Sequence, residues 1–205
     1  MSGGQGTRLG YSGPKGCYDI GLPSGKSIFQ IHFERLLCIC RLAAVHVAGE
    51  PVDVDADVAD VPLLPVYIMT SHLNDATIRE YLETHDYWGY SQSCVYFFEQ
   101  GLEPCLSLEG RLIVESTDSL SMAPDGNGGL YNALEKSGAV QDMVRRGVQH
   151  LHVYGIDNVL TRSCDPCFMG LCIDLHVQVG NKVVWRADKK EKVGVSVEKG
   201  DQPYP

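Results

Sequence analysis

The sequence predicts an α/β protein in which strands and helices alternate around a mainly parallel sheet covered on both faces. Three observations carry that expectation. Short apolar runs at 63–69, 94–98 and 150–156 read as buried strands, and the stretches between them show helical spacing. The 205 residues suit one ordinary α/β domain with a sizeable core. A hydrophobic fraction of 44% against 21% charged residues excludes disorder, a collagen-like repeat and a disulfide-built miniprotein.

Taken in order, Ile28, Phe29, Ile31, Phe33, Leu36, Leu37, Ile39 and Leu42 recur at helical spacing, so Ser27–Val45 reads as a helix, with Ser24 or Ser27 able to cap it. Leu63–Met69 is a continuous apolar run, and Thr70-Ser71-His72 leads from it into a helical pattern from Asn74 to Thr84. Cys94–Phe98 is the next buried strand, and Leu112–Glu115 a candidate hairpin strand. Met122–Gly129 is rich in turn residues and opens a helix from Leu130 to Lys136, followed by a second from Val140 to Arg146. His150–Ile156 reads as a further strand, Asp165–Val177 as a helix and Lys182–Trp185 as a strand. The predicted core is Phe29, Phe33, Leu36, Leu64, Ile68, Val95, Phe97, Leu130, Leu134, Val153 and Ile156.

Charge narrows the range of partners. A net charge of −9 has the wrong sign for a general binder of nucleic acid or anionic membrane, so any phosphate must be held locally. More than half of that charge lies in 49–62, where Glu50, Asp53, Asp55, Asp57 and Asp60 meet no Lys or Arg. The stretch reads as a solvated loop, because its spacing lacks the glycine turn and terminal Glu of an EF-hand. No apolar run approaches the roughly 20 residues of a membrane helix, and the start lacks a signal peptide. A cytosolic setting is therefore expected, with the 8 cysteines as reduced thiols. Cys164 and Cys167 form a CxxC pair without the second pair a structural zinc site needs. His150 and His152 share a face of their predicted strand and could ligate a metal, although a structural role is the more ordinary reading.

Gly3-Gly4-Gln5-Gly6-Thr7-Arg8-Leu9-Gly10 places four glycines beside a threonine and an arginine, and Pro14-Lys15-Gly16 follows. Glycines let successive backbone N–H groups converge on phosphate oxygens, and Lys15 can return a second cation to the same anion. The pattern is neither a Walker A loop nor a GxGxxG fingerprint. A flexible glycine-rich tail is the alternative reading of these residues, against which Arg8 and Lys15 weigh.

This run, with Tyr67-Ile68-Met69-Thr70-Ser71, Phe97-Phe98-Glu99-Gln100-Gly101, Met122–Tyr131 and His152-Val153-Tyr154-Gly155-Ile156-Asp157-Asn158, resembles the eukaryotic UDP-N-acetylhexosamine pyrophosphorylases, colinearly along nearly the whole chain. The resemblance implies a Rossmann-like three-layer nucleotide-diphospho-sugar transferase fold with a mainly parallel sheet. It implies a uridylyltransferase that joins UTP to N-acetylglucosamine 1-phosphate, giving UDP-N-acetylglucosamine and diphosphate, with magnesium as cofactor and neither nucleic acid nor membrane as partner. By similarity, Ser2, Gly3 and Gly4 would line the nucleotide, and Arg8 and Lys15 would neutralise charge on the triphosphate. Gln100 and Gly126 would hold the uracil, because an amide and a peptide each offer the donor and acceptor its imide edge needs. Asn127 would reach the sugar phosphate, and Asp157 would bind UTP through magnesium. Ordinary readings of the same residues are a surface lysine at 15, a simple turn at 125–128 and a helix-capping Asp157.

The chain also departs from the family. Only Met1 and Ser2 precede the glycine loop, where the family has a buried strand, and the sugar-contacting glutamate-tyrosine pair and a later lysine are absent. The sequence therefore reads as a partial catalytic domain truncated at both ends: nucleotide loop and helix at 1–48, acidic loop at 49–62, central α/β part at 63–185, and the start of a sugar-binding region at 186–205, with Val193–Val197 as its leading strand. A UDP-glucose or broad UDP-sugar pyrophosphorylase, and a non-catalytic binding or regulatory module, are the alternatives.

Overall fold

The computed structural model describes residues 1–4, 6, 10–48, 61–188, 197–199 and 202–204. Arg8, the acidic stretch 49–60 and most of the 193–197 strand lie outside the described residues. The chain forms two compact units, Met1–Cys164 and Asp165–Pro205.

In the first unit, Ser27 Oγ accepts a hydrogen bond from Gln30 N at 3.2 Å, so Ser27 is the cap that starts α1, Ile28–Ala48. Ile28, Phe29, Phe33, Leu36, Leu37 and Cys40 are buried along one face, whereas Leu42, expected in the same stripe, is exposed. The buried His32 imidazole lies among them, with Nδ1 3.4 Å from Ser163 Oγ, and burial lowers its pKa to about 4.

Strand β1, Val66–Thr70, pairs in parallel with β2, Val95–Glu99, in the register Ile68↔Phe97. Helix α2, Asp75–Thr84, makes the crossover, and its Ile78 and Leu82 are fully buried. The chain then turns through Asp86, Tyr87 and Trp88 at φ of 47°, 47° and 50°, with Gly89 at 81°. Left-handed backbone costs an L-residue about 1–2 kcal/mol. Burial of Tyr87 and the packing of Tyr87 and Trp88 against Phe33, at ring-centroid separations of 6.2 and 5.8 Å, offset that cost.

Beyond β2, β3, Leu102–Pro104, pairs antiparallel with β4, Met122–Pro124. The Met122–Gly129 segment is thus part strand, and the expected 112–115 strand makes only isolated bridges at Leu112 and Val114. The intervening arm closes on itself: Cys105 N donates to Ser121 O, Ser121 N to Ile113 O, and Ile113 N to Cys105 O, at 2.8–2.9 Å. A four-residue turn, Gly126–Gly129, leads into α3, Leu130–Lys136, and then α4, Ala139–Arg145. Leu130, Ala133, Leu134, Ala139 and Met143 pack with Met69 and Phe98 on the face of the β1–β2 pair away from Phe33 and Ile78.

The expected strand at 150–156 does not form. Tyr154 O accepts from the Met1 amino group and Ile156 N donates to Met1 O, while Ser2 N donates to Met69 O at 2.7 Å. Met1 and Ser2 therefore sit between β1 and 154–156, and two residues give too few rungs for a regular ladder. Without a facing strand, Val153 is half exposed rather than core, as is Leu64 ahead of β1 at 38%. The described residues form a mixed α/β arrangement with a two-stranded parallel sheet and two two-stranded antiparallel ones.

The second unit holds α5, Pro166–Asp174, started by Asp165, whose carboxylate accepts from Cys167 N at 3.2 Å. Strands β5, Val197–Lys199, and β6, Gln202–Tyr204, pair antiparallel. The strand expected at 182–185 finds no ladder among the described residues, and Val183, Val184 and Trp185 are exposed. Among the described residues, no helix is long and apolar enough to cross a membrane.

Two tests follow from this packing. Folded His32 stays neutral down to about pH 4, whereas in the unfolded chain it protonates near its ordinary 6.5. Stability conferred by the neutral ring is complete above pH 6.5 and falls by about 3 kcal/mol in all as pH drops to 4. Urea unfolding across that window should show the decline, and His32→Phe should flatten it. Asp86→Gly removes the Cβ from an exposed left-handed position and should raise stability by about 1 kcal/mol, read as a higher urea midpoint at unchanged m-value.

Candidate active site

A cleft of about 290 Å³ opens where the first residues, the ends of β1 and β2, the β4–α3 turn and segment 155–157 converge. Gly3, Gly4, Lys15, Gln100, Gly126, Asn127 and Asp157, all singled out from the sequence, line it. Ser2 lies buried beside Gly3, with its hydroxyl unpartnered among the described residues. Arg8 lies outside the described residues, and the structure does not place it.

Backbone pairing holds the first wall. Ser2 N is bound to Met69 O, and Ser2 O accepts from Asn74 Nδ2 at 3.1 Å. Asn74 is itself fixed, since its Oδ1 accepts from Ser71 N at 2.9 Å. Asn74 was missed by sequence reasoning because it reads as one polar residue at a helix start. Its near-complete burial is what marks it.

The glycine loop folds back on itself, with Gly6 N donating to Gly13 O at 2.9 Å and Lys15 N to Gly4 O at 3.4 Å. The Tyr11 ring fills the space a side chain would need at Gly6 or Gly13. Gly16 packs against the Phe29 ring, where a Cβ would collide, and this seats Pro14-Lys15-Gly16 on α1. Lys15 is thereby aimed across the cleft, where Nζ meets Asp157 Oδ2 at 2.8 Å.

On the facing wall, Gln100 N donates to Thr70 O at 2.9 Å and Asp125 N to Gly101 O at 3.0 Å. The Gln100 side chain lies against Gly3, at which a Cβ would stand 2.5 Å from Nε2. A larger residue at position 3 would push the Gln100 amide out of that position. Gly126, at φ 71°, turns the chain so that Asn127 reaches the rim.

The Lys15–Asp157 pair dominates the electrostatics. The Lys15 ammonium holds the Asp157 carboxyl below its ordinary range, while burial lowers the pKa of the Met1 amine. With Asp157 53% exposed, such a pair is worth at most about 1 kcal/mol, so Lys15 is free to exchange the carboxylate for another anion. A glycine-lined wall, one lysine cation, one carboxylate and a side-chain amide suit a ligand carrying phosphates and a polar ring. Of the His150–His152 pair, His152 takes a structural bond, its Nδ1 accepting from Cys164 N at 3.0 Å, and no group of three metal-ligating side chains occurs among the described residues.

Residues 1–203 match the family model for UTP--glucose-1-phosphate uridylyltransferase. The chain is 48% identical over 204 residues to UDP-N-acetylglucosamine diphosphorylase 1 of Arabidopsis thaliana, covering 98% of this chain and 38% of that relative. It is 41% identical to the UDP-N-acetylglucosamine pyrophosphorylase of Saccharomyces cerevisiae, covering 99% and 40%. The crystal structure of the Trypanosoma brucei uridine diphosphate N-acetylglucosamine pyrophosphorylase in complex with inhibitor superposes with a TM-score of 0.83 at 30% identity, over 99% of this chain and 40% of that one. The chain thus spans about two fifths of the length of the curated relatives it matches. With that model matched along almost its entire length, the chain belongs to the UTP--glucose-1-phosphate uridylyltransferase family.

Proposed function

We propose that this chain carries the nucleotide-binding half of a UDP-N-acetylhexosamine pyrophosphorylase, which joins UTP and N-acetylglucosamine 1-phosphate into UDP-N-acetylglucosamine and diphosphate. One observation carries the reading: residues as distant in sequence as Gly3, Lys15, Gln100, Asn127 and Asp157 line one cleft. The names of relatives at 41–48% identity favour the N-acetylhexosamine type over a UDP-glucose enzyme.

In the proposed reaction a phosphate oxygen of the sugar phosphate bonds to the α-phosphorus of UTP, and the bond to the β-phosphate breaks, releasing diphosphate. Catalysis of this kind is mostly positioning and charge neutralisation. The backbone N–H groups of Gly3 and Gly4 would face the phosphates, whereas that of Ser2 is taken by Met69 O and only holds the loop in place. Lys15 would leave Asp157 and follow the negative charge onto the departing diphosphate, with Arg8 as a second cation. Gln100 and the Gly126 backbone would take the imide edge of uracil, and Asn127 the sugar phosphate.

The donor set suits magnesium. Magnesium keeps several waters and takes one or two carboxylates beside substrate phosphates. Asp157 offers one such carboxylate on the cleft wall. The ion would supply further neutralisation of phosphoryl charge. Around the cleft, the parallel β1–β2 pair and its α2 crossover support a Rossmann-like three-layer, mainly parallel arrangement as part of the same proposal. A cytosolic setting is supported by eight cysteines that are all unpaired.

A second reading is that these 205 residues bind UTP without turnover, favoured by their covering only 38% of a relative such as the Arabidopsis protein. A thermal melt with UTP and magnesium tests the shared claim. Ligand at 100 times its Kd adds about 2.7 kcal/mol, which raises the midpoint of a chain this size by roughly 5–10 °C. Lys15→Ala should leave the ligand-free midpoint within about 3 °C, since an exposed pair contributes so little, and abolish most of the UTP shift. Asp157→Asn should remove the magnesium-dependent part alone. Steady diphosphate release by the native chain would overturn the second reading, and a melt indifferent to UTP would overturn both.

A further inference from the structure

Asp125 stands behind the cleft wall and does not line it. Its backbone N–H extends the β3–β4 ladder by one rung to Gly101 O at 3.0 Å. Its carboxylate occupies the space that a side chain would need both at Gly101 and at Gly129, so that a Cβ at either would collide with it. Oδ1 is buried and takes no hydrogen bond, and no ion pair forms at Asp125 among the described residues. An orphaned buried carboxylate oxygen costs stability. A carboxylate kept in place at that cost, wedged between two glycine backbones, calls for a role other than stability.

Its position supplies one. Gln100 immediately precedes Gly101, and Gly126 immediately follows Asp125. The Gln100-Gly101 dipeptide is pinned on its other side by Gln100 N to Thr70 O. The Asp125 carboxylate thus lies between the backbone that follows Gln100 and the turn that carries Gly126.

We infer that Asp125 is a positioning residue for pyrimidine selection: wedged between Gly101 and Gly129, it sets the spacing of Gln100 and Gly126 to the imide edge of uracil and against the amino edge of cytosine. The inference rests on the proposed uridine site and assigns a residue that touches no ligand. Discrimination between two similar edges requires hydrogen-bonding groups held to within a fraction of an ångström. Truncating the wedge frees both groups to follow either base.

Isothermal titration of the full chain with UTP, CTP and inorganic tripolyphosphate, magnesium present, tests this. In the native chain UTP should bind tighter than CTP. Asp125→Ala should cut the UTP-to-CTP preference at least fivefold, while tripolyphosphate affinity, set by Lys15, stays within twofold. Asp125→Asn, which keeps the shape, should restore most of the preference. Gly101→Ala, which displaces the same carboxylate from the other side, should lose it as Asp125→Ala does. An Asp125→Ala chain that keeps its UTP preference overturns the inference and leaves the uridine site standing. Equal loss of UTP, CTP and tripolyphosphate binding also overturns it, because it reports general collapse of the cleft. A native chain with no preference for UTP over CTP overturns the uridine reading, and the inference with it.

Discussion

Backbone pairing of the first two residues with both β1 and segment 154–156 is the constraint on which the cleft depends. Met1 bonds to Tyr154 and Ile156, and Ser2 bonds to Met69. These few hydrogen bonds carry Gly3 and Gly4 to the ends of the strands, where open α/β sheets bind their ligands. They also bring Asp157 within reach of Lys15. Asn74 reinforces the arrangement from below by holding Ser2 O. If this pairing were lost, the glycine loop would have no wall to form and the Asp157 carboxylate would face solvent.

The two apolar clusters support that arrangement from opposite faces of β1 and β2. Phe29, Phe33, Ile78 and Leu82 lie on one side, and Leu130, Leu134 and Met143 on the other. The site is therefore built on rigid elements even though its ligand-facing groups are mostly backbone and glycine. Rigidity matters because catalysis by positioning tolerates little displacement. The Lys15–Asp157 bond is the deliberate exception, a weak contact between groups that both have to serve a ligand.

Much of this was legible in the sequence, for identifiable reasons. Helix α1 was readable because Phe29, Phe33 and Leu36 repeat at helical spacing, and the cleft residues because the glycine loop, Gln100-Gly101 and Asp125-Gly126-Asn127 resemble a known family. What was not legible depends on partners. Residues 150–156 have strand-like composition, yet a strand exists only against a neighbour, and two residues make a poor one. Val153 and Leu64 were expected in the core because they are apolar, and they are exposed because no element among the described residues covers them. The β3 strand and the self-closing arm at 105–121 have no local signature, since their order arises from three-way backbone bonding. Asn74 and Asp125 were overlooked because burial, which distinguishes them, is a tertiary property.

The hydrogen bond from the Met1 amine to Tyr154 O joins residues 153 positions apart. Contacts of such long sequence separation form slowly, because loop closure is paid for before the contact gives anything back. Residue 1 must therefore wait for residue 154 before it finds its place. Until Tyr154 and Asp157 have emerged, the nascent chain can form α1 and the β1–α2–β2 crossover, yet it cannot form the cleft. Binding competence therefore waits on residues 154–157 and arrives in one step.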